Sequence, residues 1–194
     1  MKYLKMLALA SATALAVLGI TGTASATIAT SPAGTQIGVG TVIKSELVGT
    51  AVLHPPIGNI ECTQSNGEGK VTRAGSGTET PAGEAFFVAF SGCNAEVVVL
   101  SKGTGEIHTE GSTANGNGTM TSTGAEVTVT FSGFHCIFKT NGTDVGVLTG
   151  GTPAVAEING VIPRTGGRSG AFCGSTAQLT ATAKVTTPGT VLID

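Results

Sequence analysis

The stretch EVTVTFSGFHCIFKT, residues 126–140, decides the fold class. Val, Thr, Ile and Phe dominate it on both sides of the Ser132-Gly133 pair, and apolar residues alternate with polar ones before that pair. This period of two is typical of β-strands with one buried face, and Ser-Gly is a turn signal. Similar runs recur along the chain about every eight to twelve residues, a spacing typical of all-β domains. The sequence therefore predicts an all-β protein.

The same pattern sets the expected strands and turns. We expect strands near residues 37–43, 46–53, 57–63, 84–90, 95–100, 105–110, 118–121, 126–131, 134–140, 144–149, 154–159, 177–186 and 190–193. Asn-Gly is the preferred pair of tight hairpins, and it predicts turns at Asn66-Gly67, Asn115-Gly116, Asn117-Gly118, Asn141-Gly142 and Asn159-Gly160. The longest loops are expected at residues 74–83 and 162–170, where small polar residues and glycine crowd. The architecture that these elements favour is an antiparallel β-sandwich or flattened barrel, immunoglobulin-like in its layers.

The first 26 residues predict export. Lys2 and Lys5 precede an apolar run over residues 6–20, and Ala24-Ser25-Ala26 forms an A-x-A cleavage site. These are the three parts of a secretory signal peptide. We expect residues 1–26 to be removed and residues 27–194 to form one domain outside the cell or at its surface. No second apolar run after the signal is long enough to predict a membrane span.

The four cysteines are expected to form two disulfide bonds, because an exported chain meets an oxidising compartment. Cys62, Cys93, Cys136 and Cys173 allow three pairings. A weak internal repeat, with Phe-Ser-Gly at residues 90–92 and again at 131–133, each close to a cysteine, favours Cys62 with Cys93 and Cys136 with Cys173.

Composition excludes several functions. After the signal, eight basic and twelve acidic residues leave a formal charge of −4, which argues against nucleic acid, since phosphates are held mainly by Lys and Arg. The chain has no Trp, and its one Tyr, Tyr3, lies in the predicted signal. An aromatic platform for sugars is therefore not expected. The Gly-x-Gly pairs do not continue into the G-x-G-x-x-G pattern of a phosphate cradle, and no cofactor is expected.

Catalytic and metal chemistry has weak support. Glu106, His108 and Glu110 share one face of a predicted strand, where they could gather a cation, but a solvated polar face opposite Ile107 is the favoured explanation. With Asp144, they are the residues we would assign to an extracellular all-β hydrolase, which is the least favoured function. His135 next to Cys136 is not a thiol-imidazole pair, because adjacent strand residues face opposite sides of a sheet. We assign no catalytic residue and no metal ligand.

The predicted loop at residues 162–170 is the best candidate for contact with a partner. It carries Arg164 and Arg168 on a glycine-rich backbone. Two guanidinium groups on a flexible loop suit an anion or a partner surface, although a plain mobile loop without a contact is the simpler explanation.

Four segments carry a resemblance to other proteins. They are GFHCIF (residues 133–138), DVGVLTGGTPA (144–154), IPRTGG (162–167) and FCGS (172–175). The chain resembles a group of small exported β-rich proteins of soil actinobacteria with four cysteines. The resemblance implies a signal peptide, a β-rich body and paired cysteines, and it brings no activity and no catalytic residues.

The function we expect from the sequence is non-catalytic. The first hypothesis is a structural or matrix protein of the cell surface that associates with itself or with other cell-envelope components. The alternative is an extracellular module that binds a ligand or a protein through the loops around residues 162–170.

Overall fold

The computed structural model describes residues 29–30, 35–75, 80–109, 117–168 and 170–193. The predicted signal peptide, residues 1–26, lies outside the described residues. The elements, in chain order, are β1 (Ala29–Thr30), β2 (Val42–His54), β3 (Ile60–Arg73), β4 (Ala82–Cys93), β5 (Glu96–Thr109), β6 (Asn117–Phe131), β7 (Phe134–Thr149), β8 (Val155–Gly166), α1 (Gly170–Cys173), β9 (Thr176–Thr187) and β10 (Leu192–Ile193).

Strands β2 to β9 form one closed antiparallel barrel, in which every strand lies beside its neighbours in the sequence. The barrel closes where β2 pairs with β9, from Lys44 opposite Thr187 to His54 opposite Gln178. Closure pairs the backbone groups that the edges of an open sheet would expose. The predicted all-β fold and the disulfide bonds are confirmed. The immunoglobulin-like sandwich is not confirmed, because the first and last long strands pair and make one sheet.

Several strands are longer than the sequence predicts, and β5, β6 and β7 show why. β5, β6 and β7 each join two predicted strands, and a glycine lies at each junction: Gly103, Gly124 and Gly142. These glycines adopt φ values of 68°, 78° and 90°, and the strand register shifts close to them. A glycine with positive φ lets a strand bulge and bend without ending. The glycines that predict a strand end in the sequence therefore mark points where the strands of this barrel bend.

The hairpin prediction is wrong at three Asn-Gly pairs, which lie inside β3, β7 and β8: Asn66-Gly67, Asn141-Gly142 and Asn159-Gly160. Gly160 shows the reason, because a Cβ atom there would lie 2.7 Å from the Cα of Val145 on the neighbouring strand. Glycine is needed for close strand contact rather than for a turn. Asn117-Gly118 begins β6, and Asn115-Gly116 lies outside the described residues.

The barrel interior contains two separate apolar clusters. The first fills the end at which residues 55–59, 94–95, 132–133 and 167–175 connect the strands, and its buried members are Leu53, Ile60, Val129, Cys136, Phe138, Ile162, Cys173 and Ala177. The second lies toward the opposite end, and its buried members are Ile37, Leu148, Ala154, Val185 and Val191. The two ends of the barrel are therefore packed differently.

Both disulfide bonds lie at the end filled by the first cluster, which we call the disulfide end. Cys62 and Cys93 are cross-strand partners on β3 and β4. Cys136 on β7 is bonded to Cys173 in α1, and both residues are fully buried. The second bond attaches the β8–β9 connection to the barrel wall. These are the pairs that the internal repeat favours.

Candidate functional site

A cavity of about 420 Å³ occupies the interior at the end opposite the disulfide bonds, which we call the cavity end. Its volume falls in the range of small-molecule sites. The apolar side chains of its lining are Ile37, Ile43, Val71, Pro81, Ala82, Ala85, Val88, Ile107, Met120, Val145, Leu148, Ala156, Ile158, Ala183, Val185 and Val191. An eight-stranded barrel is wide enough either to be filled by side chains or to hold one small ligand. At the cavity end of this barrel, side chains leave room for a ligand.

The cavity exists because one wall carries very small residues. The lining on β2 to β5 includes Ser45, Gly67, Gly69, Gly83, Ala85 and Gly105. Position 69 requires glycine, because a Cβ atom there would lie 2.9 Å from the carbonyl oxygen of Glu84. The opposite wall, on β7 to β9, carries Leu148, Ile158 and Val185. Large side chains on one wall face glycine on the other, so the interior remains unfilled.

A small polar layer lies between the cavity and the disulfide end. Thr140 is buried on β7, and its Oγ1 lies 3.0 Å from Oγ of Ser122 on β6. The backbone N–H of Ala125 donates to Thr140 Oγ1 at 2.9 Å. On β7, Thr140 falls between Phe138 of the first cluster and Leu148 of the second. The hydroxyl of Thr140 therefore satisfies a backbone donor at a bulged part of the barrel.

Two chain segments cover the cavity end. Ile37, before β2, and Val191, before β10, are both buried in the second cluster. The backbone N–H of Gly151 donates to the carbonyl oxygen of Val191 at 2.8 Å, and the side-chain amide of Gln36 donates to the carbonyl oxygens of Ala74 and Gly75. These contacts place aliphatic side chains over the cavity and hold them with backbone hydrogen bonds.

The wall of the barrel is weakest between β4 and β5. Among the described residues, these strands pair only from Ala82 opposite Glu106 to Glu84 opposite Thr104. In contrast, β5 and β6 pair along nearly their full lengths. Val88, beyond the paired part of β4, lines the cavity. Few backbone hydrogen bonds therefore close this stretch of the wall beside the cavity.

Charged residues around the cavity lie on the outer face of the wall. Lys44 Nζ lies 3.0 Å from Glu68 Oε1, and the side chains are 47% and 33% exposed. Arg73 donates to Glu106 Oε1 at 2.7 Å and to Thr80 Oγ1 at 3.0 Å. Glu68 alternates with inward Gly67 and Gly69, so its side chain points away from the interior. The interior surface is therefore apolar, and the outer rim carries paired charges.

The residues predicted to contact a partner lie at the disulfide end, away from the cavity. The predicted loop at 162–170 is wrong in its first half, because β8 continues to Gly166. Ile162 is buried in the first cluster, and Arg164 Nε donates to the carbonyl oxygen of Gly174 at 2.6 Å. Arg168 is exposed beyond the strand. Arg164 thus ties β8 to the connection after α1, while Arg168 remains a predicted contact.

The acidic and histidine candidates do not form a shared site within the described structure. His108 Nε2 lies 3.6 Å from Glu106 Oε2, and both side chains are about two-fifths exposed. Asp144 is exposed on β7, and Glu110 lies outside the described residues. No group of three or more His, Cys, Asp or Glu residues suited to a metal ion occurs among the residues that the structure describes.

The cavity itself was missed by sequence reasoning, although a signal for it was present. One of the Gly-x-Gly pairs considered for phosphate binding, Gly67-x-Gly69, contributes both glycines to its small-residue wall, and Gly105 contributes a third. Gly83-x-Ala85 repeats the spacing on β4. Small residues at every second position of neighbouring strands lie on one face of a sheet. The two pairs on β3 and β4, with Gly105 on β5, leave this part of the interior unfilled.

Comparison with known proteins adds no family. Neither a family model, nor a curated protein, nor a solved structure matches the chain. Within the described ranges, no helix combines the length and apolar character needed to cross a membrane.

Proposed function

We propose that this chain is an exported binding protein that takes up a small apolar ligand inside its barrel. The observation that carries the proposal is the cavity of about 420 Å³, whose lining is dominated by aliphatic side chains. Water in such a cavity makes few hydrogen bonds, so its displacement by an apolar molecule is favourable. The barrel supplies a preformed apolar site, and the proposed role involves no chemical step.

A binding role accounts for the unfilled space better than a purely structural one does. An unfilled apolar interior forgoes packing contacts and lowers stability. Replacing Ala85 or Ala183 by larger aliphatic residues would recover some of those contacts, yet both positions are small. Retaining small residues there is reasonable for a protein that uses the space.

Export is the second part of the proposal. The signal-like segment at residues 1–26 supports it, and so do two disulfide bonds, which persist mainly in oxidising compartments. The test is the mass of the protein recovered from outside the producing cells. We expect a chain that begins at Thr27 with both disulfide bonds intact. An uncut chain retained with reduced thiols in the cytosol would overturn export.

A structural role at the cell surface remains the alternative, and one observation favours it. Val48, Val98, Leu100 and Val161 are each about half exposed on the outer wall, and exposed aliphatic residues promote self-association. Sedimentation over a range of protein concentrations tests this role. Reversible assembly that Leu100→Lys abolishes would support it, and a monomer at all concentrations would exclude it.

Ligand binding can be tested with a fluorescent probe. The probe is N-phenyl-1-naphthylamine, a neutral molecule that becomes bright in apolar surroundings, and the chain has no Trp to interfere. We expect saturable binding of one probe per oxidised chain, lost when Ala183→Leu fills the cavity. Thr186→Leu is the matched control, because it places the same side chain on the exposed face of the same strand. Equal binding by both variants, or no saturation, would overturn the proposal.

A further inference from the structure

We infer that the ligand of the cavity is an uncharged aliphatic molecule whose single polar group, a hydroxyl or an ester oxygen, bonds to Ser45. This inference rests on the proposed binding function and specifies the chemical class of the ligand. Three features carry it: the charge of the lining, the size of the space and the position of one hydroxyl.

The first feature is the absence of an inward-facing charge in the described lining. Four charged residues, Glu68, Lys70, Glu84 and Glu106, contribute atoms to the lining, but they alternate with inward glycine or aliphatic residues, so their charged groups lie on the outer face. Glu68 and Glu106 are engaged there by Lys44 and Arg73.

This arrangement makes it unfavourable to bury a charged group of the ligand inside the barrel. Glu84 is exposed, and its cross-strand partner is the exposed Lys70. An ionised group inside the barrel would therefore lose its hydration without gaining a counter-ion, which is strongly unfavourable. The cavity should discriminate against carboxylates and against ammonium groups alike.

The second feature is the size and character of the space. A volume of about 420 Å³ corresponds to about 14 water-sized groups at roughly 30 Å³ each. A methylene group is close to that size, so a chain of about twelve carbons fits. Besides Ser45, Thr121 and the four charged residues, the described lining is made of Ile, Val, Leu, Met, Pro and Ala side chains with glycine backbone. It offers dispersion contacts to a flexible chain and no aromatic face on which a ring could stack.

The third feature is the hydroxyl of Ser45. Ser45 lies on β2 between Ile43 and Leu47, is half buried, and lines the cavity beside Gly67. A Cβ atom at Gly67 would lie 2.9 Å from Ser45 Oγ, which places this oxygen against the glycine wall. Within the described part of the chain, no residue forms a hydrogen bond with the Ser45 side chain. A neutral ligand oxygen would give this hydroxyl its partner.

The experiment compares three competitors of one chain length on the oxidised protein. Dodecan-1-ol, dodecanoate and dodecylammonium are each added below the micelle concentration at about pH 8, where both ionic groups are charged. Displacement of N-phenyl-1-naphthylamine by each compound is measured. We expect dodecan-1-ol to compete at a concentration at least about tenfold lower than either ion, because only the ions bring an unpaired charge into the interior.

Ser45→Ala tests the polar contact. It should weaken dodecan-1-ol relative to the probe by about 2- to 10-fold, the equivalent of one neutral hydrogen bond. Ser101→Ala, an exposed serine on β5, is the matched control and should change neither affinity. An unchanged dodecan-1-ol affinity in Ser45→Ala would overturn the assignment of Ser45.

The outcomes separate this inference from the proposed function. If dodecanoate or dodecylammonium competes as well as the alcohol, and Ala183→Leu abolishes that competition, the neutral-ligand inference is overturned while the binding function stands. If neither the probe nor any of the three chains binds the oxidised protein in a saturable way, the binding function itself is overturned. Preferential competition by dodecan-1-ol that is weakened by Ser45→Ala and by Ala183→Leu supports the neutral-ligand inference and the binding function together.

Discussion

Ser122 and Thr140 face each other on β6 and β7, with their hydroxyl oxygens 3.0 Å apart, at the level where the packed part of the barrel gives way to the cavity end. Thr140 also accepts the N–H of Ala125 at 2.9 Å. This N–H lies beside Gly124, whose positive φ of 78° marks a bulge. Strand bulges leave backbone groups without ladder partners, and Thr140 supplies the partner here. The division of the interior into two clusters is thus linked to a specific hydrogen bond.

Removing the hydroxyl group of Thr140 should destabilise the barrel by more than the small size of this group suggests. Thr140→Val keeps the shape of the side chain and leaves the buried N–H of Ala125 without its acceptor, which costs about 1–3 kcal/mol. Thr140→Ser keeps the hydroxyl and should cost about 1 kcal/mol or less. Urea unfolding of the oxidised protein measures both. Equal stability of the Val variant and the parent protein would show that Thr140 does not hold this bulge.

Filling the cavity should stabilise the fold while it removes binding. Ala183 lies opposite Ala156 on β8 and alternates with buried Val185, so Ala183→Leu adds apolar contacts inside the space. We expect the free energy of unfolding to rise by about 0.5–2 kcal/mol, as for other cavity-filling changes. Thermal unfolding without ligand checks this expectation. A loss of more than about 1 kcal/mol would mean that the interior is already packed at this position.

The two disulfide bonds should differ in their contribution to stability. They close loops of 31 and 37 residues, and the chain-entropy model gives each about 3–4 kcal/mol. Cys136→Ala with Cys173→Ala should cost more than Cys62→Ala with Cys93→Ala, because Cys136 and Cys173 are fully buried in the first cluster and their removal also leaves a cavity.

Comparison of the two double variants by urea unfolding tests this order. The Cys62 and Cys93 variant should still bind the probe where it is folded, since the bond lies at the end opposite the cavity. Loss of probe binding in a fully folded variant would contradict the separation of the two ends.

Close strand contact should make Gly160 intolerant of any side chain. Gly160→Ala would place a Cβ atom 2.7 Å from the Cα of Val145, and relief of that overlap requires a backbone shift that costs about 1–3 kcal/mol. Gly189→Ala is the matched control, because nothing lies within 4 Å of the added atom. Its stability should stay within about 0.5 kcal/mol of the parent protein. Equal effects of the two substitutions would refute the close-contact explanation for Asn159-Gly160.

The fold class could be read from the sequence, but closure into a barrel could not. Alternation over residues 126–131 identified β6, and the run rich in Phe and Ile over residues 134–140 identified the start of β7, because both are local properties of the sequence. The pairing of Lys44 with Thr187 joins distant parts of the chain, and no local pattern specifies it. Gly103, Gly124 and Gly142 were misleading, because glycine marks both a turn and a bulge, and only the neighbouring strand distinguishes the two.

The candidate site was harder to predict than the fold. Arg164 was chosen for its charge within an apparently flexible loop, whereas the structure engages its Nε with the carbonyl oxygen of Gly174. The cavity depends on which strands face each other across the barrel, and it consists of missing side chains at positions such as Gly69 and Gly105. Sequence reasoning looks for reactive groups, and an apolar binding site has none.

Binding of an aliphatic molecule inside the cavity end can be tested by locating such a molecule in a crystal. Crystals of the oxidised protein soaked in 1-bromododecane, with data collected at the bromine absorption edge, reveal the position of the bromine atom. The account predicts an anomalous peak inside the barrel, among Ala85, Ala183 and Leu148. No peak inside the barrel, or a peak only on the outer wall beside Val98 and Leu100, would contradict it.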